Sequence, residues 1–150
     1  LSHSVSVEAL FYHVPGLTIV APSFPADVKG LLTAAIDDPD PVLFLEHKKT
    51  YRLVKGEVPA GHYTIPLGKA NVVKEGTQLS VVSYGLYVHW ALEAARSLER
   101  DGMSVEVIDL RSIRPMDRGT ILNSVRKTHK LRSVHEDNKF GGIGAEIVSG

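Results

Sequence analysis

The chain contains no cysteine. Disulfides, thiolate metal sites and cysteine nucleophiles are thereby excluded, and the composition fits a reducing compartment. Surplus charge is also missing: 17 Lys and Arg balance 17 Asp and Glu. Nucleic acids and anionic membranes select basic clusters, so neither is an expected partner. The densest basic run, Arg126 to Arg132, follows a predicted helix. Cations there complement the negative end of the helix dipole. No apolar run approaches the ~20 residues of a spanning helix. No serine elbow, paired-carboxylate spacing, phosphate loop, internal repeat or low-complexity stretch is present.

What remains is a globular composition, 43% hydrophobic and 23% charged over 150 residues. That length suits one domain or parts of two. The chain opens on Leu1, and Gly141 to Gly150 stops inside a predicted helix, so it reads as part of a longer protein.

Its pattern is organised around Leu79 to Arg111. Leu79–Gly85 reads as a buried strand, Tyr87–Glu99 as a helix with Val88, Ala91, Leu92, Ala95 and Leu98 on one face, and Ser104–Leu110 as a second strand. Strand, helix, strand at this length is a crossover joining parallel strands. Parallel strands need cover on both faces, and similar units flank this one. Upstream, Ser6–Tyr12 reads as a short helix capped by Ser6, with Val7, Leu10 and Phe11 inward. Leu17–Ala21 and Val42–Glu46 read as strands around a helix at Pro25–Asp37, with Val28, Leu31, Leu32, Ala35 and Ile36 as its buried face. Pro39 and Pro41 stop that helix.

Lys48–Pro66 has no sustained period and carries Gly56, Pro59, Gly61 and Pro66; it reads as a linker. Leu67–Lys74 reads as an edge strand. Asp117 caps a helix to about Lys127 that buries Ile121, Leu122 and Val125, Leu131–His135 is a third parallel strand, and a last helix follows Gly144. The fold class is α/β, with an open, mostly parallel sheet covered by helices.

Chemistry-bearing clusters are few. Gly141-Gly142-Ile143-Gly144 precedes a helix but lacks dinucleotide or phosphate-loop spacing, so packing is the favoured account. Seven histidines are scattered without metal-ligand spacing. His135-Glu136-Asp137 ends a parallel strand, where open α/β sheets place ligand groups. Asp37, Asp38 and Asp40 crowd a helix C-terminus, where negative charge needs solvent or a cation.

Many short matches then run in order along nearly the whole chain. They include His3-Ser4-x-Ser6-x-Glu8-Ala9-x-Phe11, Asp40-Pro41-Val42, Glu57-Val58-Pro59, Pro66-Leu67-Gly68-Lys69-Ala70, Glu106-Val107-Ile108-Asp109-Leu110-Arg111 and Arg114-Pro115-Met116-Asp117. Together they resemble the beta subunit of the thiamine-diphosphate-dependent 2-oxo acid dehydrogenase component. The opening motif leans toward the branched-chain (2-oxoisovalerate) type; Arg-Pro-Met-Asp is common in the pyruvate type.

The resemblance implies the end of a pyrimidine-binding domain over residues 1–50, a linker over 51–66, and a truncated transketolase C-terminal-like domain over 67–150. It implies a heterotetramer of two alpha and two beta subunits, with thiamine diphosphate and Mg²⁺ shared with alpha. The enzyme decarboxylates a 2-oxo acid and passes the acyl group to a lipoyl acyltransferase core. The compartment implied is the cytoplasm of a bacterium or the matrix of a mitochondrion. His3 matches the active-site histidine, a group suited to proton transfer near neutral pH. Ala35, Ile36, Asp38 and Asp40 match a structural potassium loop that ligates mainly through backbone carbonyls. Val5 stands where Gln is common. The cofactor-activating glutamate falls upstream of Leu1 and the Gly-Asp-Gly…Asn metal–diphosphate motif falls on the alpha chain, so this stretch alone is expected neither to bind the cofactor tightly nor to turn over. The rival readings are a non-catalytic assembly or acyltransferase-docking module, and the transketolase or deoxyxylulose-phosphate synthase branch.

Overall fold

The computed structural model describes residues 6–149. In order these form α1 (Glu8–Tyr12), β1 (Thr18–Val20), α2 (Pro25–Asp37), β2 (Val42–Phe44), α3 (Thr50–Leu53), β3 (Asn71–Lys74) and β4 (Leu79–Ser83). Then come α4 (Leu86–Arg100), β5 (Val105–Asp109), β6 (Ser112–Arg114), α5 (Arg118–Thr128), β7 (Leu131–Ser133) and α6 (Ile143–Ser149).

Two sheets result. The larger has the order β3-β5-β4-β7, with β5, β4 and β7 parallel and β3 antiparallel at one edge. Its central strands are apolar on both faces, so alternation sends successive residues to different layers. Val81, Val105 and Val107 pack with Val88, Ala91 and Ala95 of α4. Their neighbours Val82 and Ile108 pack on the other side with Ile121 of α5 and Ile143 and Ile147 of α6.

The smaller sheet has the order β2-β1-β6. β1 and β2 are parallel across α2, as the sequence predicts, with Thr18 opposite Val42. β6, which the sequence pattern does not reveal, comes from the second half of the chain and pairs antiparallel with β1, Ile19 opposite Arg114. The two halves thus share a strand ladder and one apolar core, in which Ile19 and Ala21 touch the cluster of Leu110 and Ile113.

Four local expectations change. Ser6 does not cap α1: its hydroxyl donates to the Glu8 carboxylate at 2.5 Å, and Leu10 of that helix is 71% exposed. In α2, Leu31 and Gly30 are buried, but Leu32 and Ile36 lie outward because a three-stranded sheet is too narrow to cover the whole apolar stripe. In α5, Ile121 is buried and Leu122 is exposed, its inward positions going to Ser124 and Thr128. Finally, the linker stretch holds the short helix α3, and its Tyr63 and Ile65 close over Gly30.

Candidate functional site

A cleft of about 810 Å³ opens along the join between the two sheets. Parallel strands deliver ligand groups at their C-terminal ends, and four such ends meet here. Ala21 follows β1, Leu45 to His47 follow β2, Tyr84 and Gly85 follow β4, and Glu136 lies just past β7. Ser6 to Glu8 form one flank; Lys48, Lys49, Tyr51 and Arg52 around α3 form another.

His47 spans the cleft. Its Nδ1 accepts the Lys49 N–H at 3.3 Å, which leaves the proton on Nε2 to donate to Glu136 at 2.8 Å. The bond ties the end of β2 to the loop after β7. On the same wall Tyr51 donates to Glu46 at 2.7 Å, and the Thr50 hydroxyl donates to the His47 carbonyl at 2.6 Å.

Tyr84 is buried and its hydroxyl has no partner. Burial pushes its pKa upward, and the nearby carboxylates of Glu8, Asp137 and Glu136 push it further, so the phenol stays protonated as a donor. Its ring stacks on His135 with centroids 6.1 Å apart. His135 is fixed in turn: the Gly144 N–H donates to its Nε2 at 3.0 Å. A side chain at Gly144 would strike that ring, so the glycine pattern here serves close packing. Gly85 leads into α4 at φ 58, a backbone state that favours glycine.

Among the residues expected to act, His3 lies outside the described residues. Glu136 does reach the cleft. Ala35, Ile36, Asp38 and Asp40 sit at the C-terminal end of α2, before β2 and hence at the opposite end of that strand from the cleft. There Asp40 N–H turns onto the Asp38 carboxylate at 2.9 Å. Pro39 and Pro41 have no N–H to give the Ala35 and Asp37 carbonyls, so oxygen acceptors remain at the helix end. Oxygen acceptors at the negative end of a helix are compatible with solvent or a hard cation. No group of three or more His, Asp or Glu side chains among the described residues is placed to hold a metal. Residue patterning missed His47, Tyr51, Tyr84 and Tyr87. The signal available was position, since each follows closely on an apolar strand.

Residues 68–150 match the family model for the transketolase C-terminal domain. The chain belongs to the transketolase family. Residues 2–54 match that family's pyrimidine-binding domain. Among curated relatives, the chain is 54% identical over 99% of its length to the 2-oxoisovalerate dehydrogenase subunit beta of Bacillus subtilis (strain 168), covering 46% of that protein. It is also 54% identical over 98% of its length to the pyruvate dehydrogenase E1 component subunit beta of Acholeplasma laidlawii, covering 45% of it. Among solved structures, a split-gene transketolase described as an inactive β4 tetramer superposes with a TM-score of 0.81 at 28% identity. That superposition covers 96% of this chain and 48% of the other. The transketolase-family chain therefore spans about half the length of the relatives it matches.

Proposed function

We propose that the chain is the cleft-forming part of the beta subunit of a thiamine-diphosphate-dependent 2-oxo acid dehydrogenase, which decarboxylates a 2-oxo acid and hands the acyl group to a lipoyl arm. The observation carrying this reading is near-complete alignment at 54% identity with beta subunits of that class. The branched-chain type is preferred on the His3 motif; the pyruvate type stands beside it. The domain division is 1–50, a linker over 51–66, and 67–150. The partners are an alpha subunit in a heterotetramer, a second beta subunit, and a lipoyl acyltransferase core.

The described residues do not by themselves fit the diphosphate and Mg²⁺ end of the cofactor, since no acidic or histidine cluster is present among them to hold the metal. In the proposed division the alpha chain carries that end. This chain contributes the walls: Tyr84 keeps a buried hydrogen-bond donor under the cleft, and the His47–Glu136 bond holds the rim. Ser6 and Glu8 form one flank of the cleft; His3, three positions before Ser6 in the sequence, is the proposed proton-transfer residue. Carbonyls at Ala35, Ile36, Asp38 and Asp40 would hold a structural K⁺ that offsets the acidic end of α2.

The test assembles the intact beta subunit containing this chain with its alpha subunit, thiamine diphosphate and Mg²⁺, and measures CO₂ release. The expected result is turnover of a branched-chain 2-oxo acid in preference to pyruvate, abolished by His3→Ala. No release from any 2-oxo acid overturns the reading. The described chain alone, mixed with the alpha subunit, is expected to give no turnover.

A non-catalytic assembly role is the second reading. Supporting it are the inactive tetramer among the structural relatives and outward apolar side chains such as Phe140, Ile36 and Val148. Capture of the acyltransferase's binding domain by the intact beta subunit, with no thiamine diphosphate bound even when the alpha subunit is present, would favour it.

A further inference from the structure

One flank of the cleft is held weakly by its own half of the chain. Ser6, Val7 and Glu8 line that flank and lead into α1, a five-residue helix with no buried residue and no side-chain cap at its start. A helix that short does not stand without outside support. Ala9 and Tyr12 rest half-buried on the apolar core. Among the described residues, one hydrogen bond from a distant part of the chain reaches the backbone of residues 6–14.

That bond comes from the second half. Arg114 of β6 donates from Nη1 to the Tyr12 carbonyl, and its guanidinium stands over the Tyr12 ring, 5.5 Å from the centroid. Tyr12 is the last residue of α1. Carbonyls at a helix C-terminus lack partners within the helix and carry the negative end of its dipole. A guanidinium satisfies such a carbonyl and the aromatic face beside it together. Burial, and after it the Glu146 carboxylate, raise the Tyr12 pKa, so the ring beneath Arg114 stays neutral. Arg114 is itself fixed, since its backbone pairs opposite Ile19 of β1, the strand that follows α1. Arg118, the other cation near Tyr12 on the α5 side, is engaged by Glu146 of α6.

We propose that Arg114 is a positioning residue: from the second half it clamps the C-terminal end of α1 and so sets residues 6–8 in register on the flank of the cleft. The proposal rests on the reading of that cleft as the site of 2-oxo acid decarboxylation. Glu8 and Tyr12 stand four positions apart in α1, on one face and about one turn from each other. Fixing Tyr12 therefore fixes Glu8, and the sequence runs back from there to His3. The Arg114-Pro115-Met116-Asp117 run then has work at both ends: Asp117 caps α5, and Arg114 holds α1.

The experiment compares Arg114→Met, Arg114→Lys and Gly30→Ala with the wild type, each in the intact beta subunit assembled with alpha, thiamine diphosphate and Mg²⁺. Steady-state CO₂ release is paired with amide exchange read over residues 8–14 and over β1. Arg114→Met keeps length and loses charge. It should lower kcat about tenfold and leave KM within about twofold, because misplacement acts on the transition state rather than on substrate binding. Arg114→Lys keeps one donor and a cation over the ring, and should regain most of kcat. Gly30→Ala strains the linker seat on α2, away from α1, and should leave kcat within about twofold; it separates lost stability from lost position. Exchange over residues 8–14 should rise about tenfold in Arg114→Met and stay unchanged in β1. Should Arg114→Met fail to fold, Tyr12→Leu removes the ring under the guanidinium and should lower kcat about two- to fivefold. An equal kcat loss in Gly30→Ala, no recovery with lysine, or unchanged exchange over residues 8–14 overturns the proposal. A wild type that releases no CO₂ overturns the functional reading instead, and the exchange comparison then decides the clamp.

Discussion

Two glycines show how differently one added methyl is received. At Gly30, a Cβ would stand 2.6 Å from Ile65 Cγ1 and 2.8 Å from the Tyr63 ring, the groups that seat the linker on α2. Gly30→Ala therefore forces that seat apart and should cost ~1–3 kcal/mol by overpacking. At Gly119, in the first turn of α5, the only neighbour is Asp117 Oδ1 at 3.5 Å. Gly119→Ala there should stabilise by about 0.5–1 kcal/mol, since alanine loses less backbone freedom on folding. Urea titration of both variants, with unchanged slope, reads the opposite signs. The cleft was legible at this scale only in part. Glu136 stood out as the end of a parallel strand, but His47 acquires meaning only when its bond to Glu136, 89 positions away, is formed. Tyr84 reads as an ordinary core aromatic until its hydroxyl proves to be unpartnered.

Elements formed where local chemistry was decisive and shifted where pairing was. Pro25 and the Asp38–Pro41 stop set α2, and Asp117 sets α5: its carboxylate accepts from the Thr120 N–H at 3.1 Å, the Thr120 hydroxyl at 3.0 Å and the Ala70 N–H at 3.2 Å. Burial opposes ionisation of Asp117, yet these bonds outweigh it and hold its pKa below the usual carboxylate range. Asp117→Ala should then cost about 1–2 kcal/mol, the range of a lost N-cap. The wild type should lose that advantage as pH falls through the lowered pKa, so the two proteins' midpoints converge in acid; chemical denaturation across pH checks both. β6 resisted sequence reading for a physical reason. Three residues, Ser112 to Arg114, carry no period, and their strand state comes from pairing with β1 more than 90 positions earlier. The apolar stripe of α2 was overread because periodicity reports which residues could be buried; the width of the facing sheet decides which are.

At the scale of the whole molecule, β6 makes the two halves one folding problem. Among the described residues the sheets carry no common strand apart from that exchange, and the most buried ion pair joining the halves is Asp27–Arg111, with Asp27 side chain 6% and Arg111 side chain 17% exposed. Removing one partner of a buried pair strands the other charge, a cost of about 3–5 kcal/mol. Asp27→Ala should therefore lower stability by about that amount and also change the form of unfolding. The single tryptophan, Trp90, lies on α4, the helix packed on the larger sheet, and its fluorescence follows that half most directly, whereas far-ultraviolet dichroism reports both. In the wild type the two transitions should coincide, because the shared ladder and core couple the halves. In Asp27→Ala the dichroism should begin to fall at lower urea than the fluorescence, as the smaller sheet leaves first. Coincident transitions in the variant would mean that the apolar seam of Ile19, Leu110 and Ile113 couples the halves without help from the ion pair.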